Sequence, residues 1–163
     1  MPETQPIATL DLPDAAATAA LGARIAPSLA PGDVVLLAGP LGAGKTALAR
    51  AIIQARLAAH GLCEEVPSPS FTLVQVYEAG GTEIWHVDLY RIGDAAEVVE
   101  LGLADAFETA ICLVEWPDRL GAETPARHLL IALEDAGEGR RARVLAYGGG
   151  WSGVAARLAG WTP

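Results

Sequence analysis

The apolar positions in the first third of the chain change period twice, and each change marks a new element. From 15 to 29 the chain is alanine-rich, with Leu21, Ile25 and Leu29 at helical spacing. Asp14 before this run and Pro31-Gly32 after it predict a helix bounded at both ends. Residues 33–38, Asp-Val-Val-Leu-Leu-Ala, are apolar after the first position, as a strand covered on both faces requires. The helical period returns over 45–59, where Leu48, Ile52, Ile53 and Leu57 form a core face and His60-Gly61 ends the run.

Beyond residue 66 the runs shorten. Pro67 and Pro69 restrict their neighbours and remove donors, so 67–70 reads as a turn or loop. Residues 71–77 and 83–89 follow as two strands joined at 79–82, a hairpin by its glycines. Short helices are expected over 94–101 and 104–108, then an apolar strand over 110–114 that runs into Glu115-Trp116-Pro117. Residues 127–133 and 141–147 alternate and flank the turn-forming 134–139, predicting an antiparallel pair, and a last helix spans 151–158. Helices alternating with buried strands predict a single α/β domain over 1–163, with a mostly parallel central sheet, antiparallel additions and flanking helices. No internal repeat or long linker divides the chain, and strand order does not follow from the pattern.

Between the strand at 33–38 and the helix at 45–59 stands Gly39-Pro-Leu-Gly-Ala-Gly-Lys-Thr46. Its Gly39, Gly44, Lys45 and Thr46 satisfy G-x-x-x-x-G-K-[ST], the P-loop pattern. Glycines let backbone N–H groups curve around phosphate, the lysine reaches the β and γ oxygens, and the threonine hydroxyl can ligate Mg²⁺. The helix that follows turns its positive end towards the same anion. Lys45 is the only lysine in the chain, and there is no asparagine. The Asn-Lys-x-Asp stretch by which a typical small GTPase reads guanine is therefore missing, and ATP is the expected nucleotide. A small-molecule kinase shares the same cradle; Arg140, Arg141 and Arg143 would supply its positive charge, or else line a solvent-facing strand edge. A nucleotide-gated interaction module, which binds ATP and a protein partner without productive hydrolysis, is the other alternative.

Two carboxylates follow the cradle at strand ends. Asp88 lies in Trp85-His-Val-Asp-Leu-Tyr-Arg91 and Glu115 closes the buried run; either can orient hydrated Mg²⁺ or an attacking water from the carboxyl edge of the sheet, or simply leave the sheet for solvent. His86 shares a strand face with Asp88, so it stands either behind the site or as a packed or partly exposed histidine. Trp116 is a candidate cover for the nucleotide or a core contact. The hydroxyls of Ser68, Ser70 and Thr72 suit a loop that senses the γ-phosphate, or a plain proline-ordered turn.

A formal charge of −9 on 163 residues gives no basic field for a nucleic-acid backbone. Tight direct binding to RNA is disfavoured, and a protein partner would have to hold it. Cys63 and Cys112 suggest neither a disulfide framework nor a metal site. The first residues lack the basic start and apolar core of a signal peptide, and no apolar run has membrane length. A cytoplasmic protein with no membrane association is expected.

Taken together, Gly39-Pro-Leu-Gly-Ala-Gly-Lys-Thr46, Val66-Pro-Ser-Pro-Ser-Phe-Thr-Leu-Val74, His86-Val-Asp-Leu-Tyr-Arg91 and Ile111-Cys-Leu-Val-Glu-Trp-Pro117 resemble the TsaE family, the small bacterial P-loop ATPases of tRNA threonylcarbamoyladenosine biosynthesis. The resemblance runs from the Leu12-Pro-Asp14 region to Gly139-Arg140. It implies an ATPase, stimulated by partners, that supports modification of the adenosine next to the anticodon in tRNAs reading codons that begin with A. The partners implied are a transferase subunit and its paralogue, which hold the tRNA; the family member does not transfer the group itself. The resemblance also assigns ATP to Gly39, Leu41, Gly42, Ala43, Gly44, Lys45, Thr46, Ala47, Ser70 and Arg140. Mg²⁺ falls to Thr46, Asp88 and Glu115, and catalysis to Lys45, Asp88 and Glu115. Ser70 stands where many relatives carry threonine, which keeps a hydroxyl in the first switch loop.

Overall fold

The computed structural model describes residues 6–163 and joins all the strands into one seven-stranded sheet. The central strands are β2 (Val34–Ala38), β4 (Thr82–Asp88), β5 (Ile111–Glu115) and β6 (His128–Ala136). They run parallel in the order β6-β2-β5-β4, and residues 34–37 of β2 and all of β5 are buried. Strands apolar on both faces need helices on both sides, and the chain supplies them.

One face carries α1 (Ala15–Ile25), α2 (Lys45–Ala58) and α5 (Ser152–Leu158), whose Leu21, Ile25, Leu48, Ile52, Ile53, Val154 and Leu158 pack on Val35, Leu37, Leu113 and Ile131. The other carries α3 (Ala95–Glu100) and α4 (Leu103–Thr109), whose Val98, Leu103, Ala106 and Phe107 cover Val34, Leu36, Val87 and Val114. Asp14 caps α1 by accepting from the Ala17 N–H at 2.9 Å, and Asp94 caps α3 in the same way from Glu97 N–H at 3.1 Å. At the amino end of β2, the nearly buried Asp33 accepts from Arg127 Nη1 and from the Ala30 N–H, each at 2.8 Å.

The additions are antiparallel. β3 (Val74–Ala79) pairs with β4, and β7 (Gly139–Tyr147) pairs with β6. β1 (Ala8–Leu12), which the hydrophobic pattern does not predict, pairs with β7 in the register Ala8↔Val144 to Leu12↔Arg140. Only Leu10 and Leu12 of β1 are buried, a period-two signal two residues long. Its consequence is a correction: β7 is an interior strand. Arg141 and Arg143 face solvent from it, but they do not line a sheet edge.

Other boundaries move too: β6 and β7 are paired as far as Ala136 and Gly139, so the turn expected over 134–139 shrinks to residues 137–138. The helix expected to reach residue 29 stops at Ile25, and a 3-10 turn carrying Pro27 follows it. The strand expected from residue 71 begins at Val74, because Leu73 takes a left-handed φ of 68° and donates its N–H to the Pro69 carbonyl at 2.7 Å. That turn puts Phe71 outside the sheet, 80% exposed. No helix among the described residues is long and apolar enough to cross a membrane.

Candidate nucleotide-binding site

Three parallel strands end side by side. β2 delivers the glycine-rich loop, β5 ends at Glu115 and β4 ends at Asp88, with Leu37 level with Glu115 and Asp88 level with Glu115 across the ladders. The carboxyl edge therefore gathers a loop of backbone donors and two carboxylates that are 27 positions or more from one another or from the loop, by subtraction of their numbers. Gly39 is required at the start of the loop. Its φ is +148°, and a Cβ there would lie 2.6 Å from the Leu133 carbonyl of β6.

Lys45 opens α2 and is 4% exposed. Its ammonium donates to the carbonyls of Gly39 at 2.7 Å and Pro40 at 2.8 Å, and sits 4.1 Å from the centroid of the Trp116 ring. Burial pulls this lysine below its usual range, while the negative charges of Glu115 and Asp88 pull it back up. Trp116 holds a left-handed φ of 58° immediately after β5 and contacts Tyr90 with ring centroids 4.9 Å apart. For an aromatic residue that backbone conformation costs about 1–3 kcal/mol and persists only where surrounding contacts hold it.

Glu115 is engaged at both oxygens. Thr46 Oγ1 donates to Oε1 at 2.7 Å, and His86 Nε2 lies 2.7 Å from Oε2. Asp88 accepts the Tyr90 N–H at 2.9 Å on one oxygen and the Ser70 hydroxyl at 3.3 Å on the other. Ser68 lies 2.8 Å from Ser70, so the loop after α2 reaches Asp88 through a pair of hydroxyls. Thr72 turns to Gln75 instead.

These groups line a cleft of about 260 Å³. Of the residues singled out from sequence, Leu41, Gly42, Gly44, Lys45, Thr46, Ala47, Ser70, Asp88, Glu115 and Trp116 form its wall. Ala43 and Arg140 line a second hollow of about 270 Å³ on the other side of the loop, between it and the β6–β7 turn. There Arg140 donates to the Gly42 carbonyl at 3.2 Å and pairs with Asp135. Arg141 instead pairs with Asp11, and His86 is fully buried rather than partly exposed. Tyr90 is the wall residue that sequence reasoning missed; its only signal is a place two positions beyond Asp88.

The donors suit Mg²⁺, which takes hard oxygen ligands and is commonly held by one or two side chains plus waters and phosphates. A threonine hydroxyl and two carboxylates meet that demand. Among the described residues, no three His, Cys, Asp or Glu side chains are grouped to cage a metal by themselves.

A glycine-rich loop between a central parallel strand and a buried helix, with carboxylates at the neighbouring strand ends, defines a P-loop nucleotide-binding fold. Comparison with known proteins makes this specific. The chain belongs to the TsaE family: the family profile described as threonylcarbamoyl adenosine biosynthesis protein TsaE matches residues 12–143. It is 37% identical over 112 residues to the tRNA threonylcarbamoyladenosine biosynthesis protein TsaE of Bacillus subtilis, covering 68% of this chain and 67% of the relative. The TsaE protein of Mycobacterium tuberculosis H37Rv is 38% identical over 135 residues, covering 77% and 78%. In three dimensions the crystal structure of Bacillus subtilis YdiB superposes with a TM-score of 0.79 at 26% identity, covering 98% of this chain and 97% of that one.

Proposed function

We propose that this chain is a Mg²⁺-dependent ATPase that serves threonylcarbamoyl modification of adenosine in tRNA, working with a transferase subunit and its paralogue in the cytoplasm. The observation that carries the proposal is the bond from Thr46 to Glu115 beside Lys45 at the carboxyl edge of the sheet. It joins the motif that cradles phosphate to the carboxylate that serves a metal, in a family whose relatives are described as tRNA threonylcarbamoyladenosine biosynthesis proteins.

Each residue has a task in this reading. Backbone N–H groups of the loop and the first turn of α2 bind the phosphates, and the ammonium of Lys45 exchanges the Gly39 and Pro40 carbonyls for phosphate oxygens. Thr46 and Glu115 would hold Mg²⁺, with Asp88 alongside, and the ion would supply neutralisation of phosphate charge. Asp88 and Glu115 are the carboxylates able to place the attacking water, and Asp88 is tied to the Ser70 loop. That tie lets the loop report the nucleotide's state to partners. Arg140, already on the Gly42 carbonyl, borders the loop from the other side. The net charge of −9 is why the tRNA is assigned to the partners.

The test is phosphate release from ATP with Mg²⁺ and tRNA, comparing this chain alone, the transferase pair alone, and the complete mixture, with K45A as control. Strong stimulation confined to the complete wild-type mixture is expected. Equal turnover with K45A sinks the proposal, and absence of stimulation in a verified complex indicates a nucleotide-gated binding module.

A further inference from the structure

His86 is a fully buried titratable side chain in direct contact with this site. It lies on β4 under the P-loop face, two positions before Asp88 and level with Leu113, so its ring approaches Glu115 diagonally across the β4–β5 ladder. Nε2 is 2.7 Å from Glu115 Oε2, whereas Nδ1 is buried with no hydrogen-bond partner.

We propose that His86 is a positioning residue for Glu115: its Nε2 donates to Oε2, which pins that oxygen and so keeps Oε1 on Thr46, the hydroxyl offered to Mg²⁺. This rests on the reading of the cleft as a Mg²⁺-nucleotide site.

Hydrogen-bond accounting leads there. An ionised carboxylate only accepts, so the short contact places a hydrogen on Nε2. Nδ1 makes no bond of its own, so Nε2 is the ring's one polar tie to the site. An arginine or lysine at position 86 would hold the same oxygen but bring a fixed positive charge beside the cation. With Oε1 and Oε2 each bound to one donor, the carboxylate has one orientation; without Nε2 only the Thr46 bond holds it. Partners of this kind behind a metal site characteristically change metal affinity by about 10–100-fold.

Two measurements test the inference. Side-chain ¹⁵N–¹H correlation spectra of the three histidines are expected to show a hydrogen on Nε2 of His86, with or without nucleotide. A ring protonated on Nδ1 alone overturns it. Mg²⁺ titrations at fixed nucleotide then compare wild type, H86Q and H86L. H86L is expected to weaken Mg²⁺ by roughly 10–100-fold, and H86Q, whose amide donates from the corresponding position, to recover most of the loss. Nucleotide affinity in EDTA should be the same in all three. If H86L does not fold, H86N, whose shorter amide falls short of Oε2, takes its place. Wild-type Mg²⁺ affinity in H86L, no recovery in H86Q, or an equal loss in EDTA each overturns the inference while the ATPase reading stands. A wild-type chain whose nucleotide binding ignores Mg²⁺ overturns both.

Discussion

The Thr46 hydroxyl donates to Glu115 Oε1 at 2.7 Å across 69 positions of sequence. This bond makes the end of β5 and the start of α2 a single site. A lone hydroxyl or carboxylate is a weak site for a hard cation; this pair offers two oxygens already oriented by their mutual bond.

Replacing Glu115 with alanine is therefore expected to weaken Mg²⁺-dependent nucleotide binding by roughly 10–100-fold. The same change at Glu100, exposed on α3, should leave it as it is. Mg²⁺ titration of nucleotide binding checks the pair, and identical curves for E115A and wild type would remove Glu115 from the metal site.

Asp88 is bound by Ser70 and by the Tyr90 N–H, so its carboxylate is already held at the end of β4. D88N preserves the shape and removes the charge. Single-turnover hydrolysis in the complete mixture is expected to fall by at least about 10²-fold, the lower end for a lost general base, with nucleotide affinity changed far less. Equal losses in both would mean that Asp88 serves binding alone.

Helices α1 and α2 approach closely because residue 22 has no side chain. A Cβ there would lie 2.5 Å from the Cβ of Ala51 and 3.0 Å from the Ile52 nitrogen. G22A is expected to destabilise the fold by about 1–3 kcal/mol through overpacking, read from urea unfolding. A51G removes one of the clashing atoms, so the double variant should be less destabilised than the sum of the two single changes. Strict additivity would show that the helices separate without cost.

The two thiols should differ sharply in reactivity. Cys63 is exposed, whereas burial, reinforced by the charge of Glu83, pushes Cys112 up from 9.0 to about 12. One thiol is expected to react promptly with a disulfide reagent and the second only on unfolding. The sign of the pH effect follows: the folded chain keeps the Cys112 proton where the unfolded chain loses it, so this contribution to stability is complete below pH 9.0 and declines as pH rises towards about 12. Unfolding curves of wild type and C112A across that window test it; parallel curves would contradict it.

Long apolar runs were legible and short or shared patterns were not. The strand at 33–38 and the helix at 45–59 lie within a residue of β2 and α2, because full burial leaves an uninterrupted signal. β1 escaped because five residues with two buried leucines carry too little periodicity. The start of β3 was set by the left-handed turn at Leu73, which a leucine side chain does not announce. Tyr90 is not announced by its sequence, because only the chain's path after Asp88 sets it, half-exposed, at the wall of the cleft.

From its own residues the chain specifies the phosphate cradle, since Gly39 to Thr46 acts through local backbone geometry and the end of one helix. It likewise specifies the α/β class, through the alternation of buried strands and helices. Tertiary structure alone decides what surrounds the cradle. The order β6-β2-β5-β4 puts Asp88 and Glu115 beside Thr46, and strand order arises from packing among segments distant in sequence. The same packing makes His86 a partner of Glu115, because a buried polar atom finds its hydrogen bond only in the folded chain.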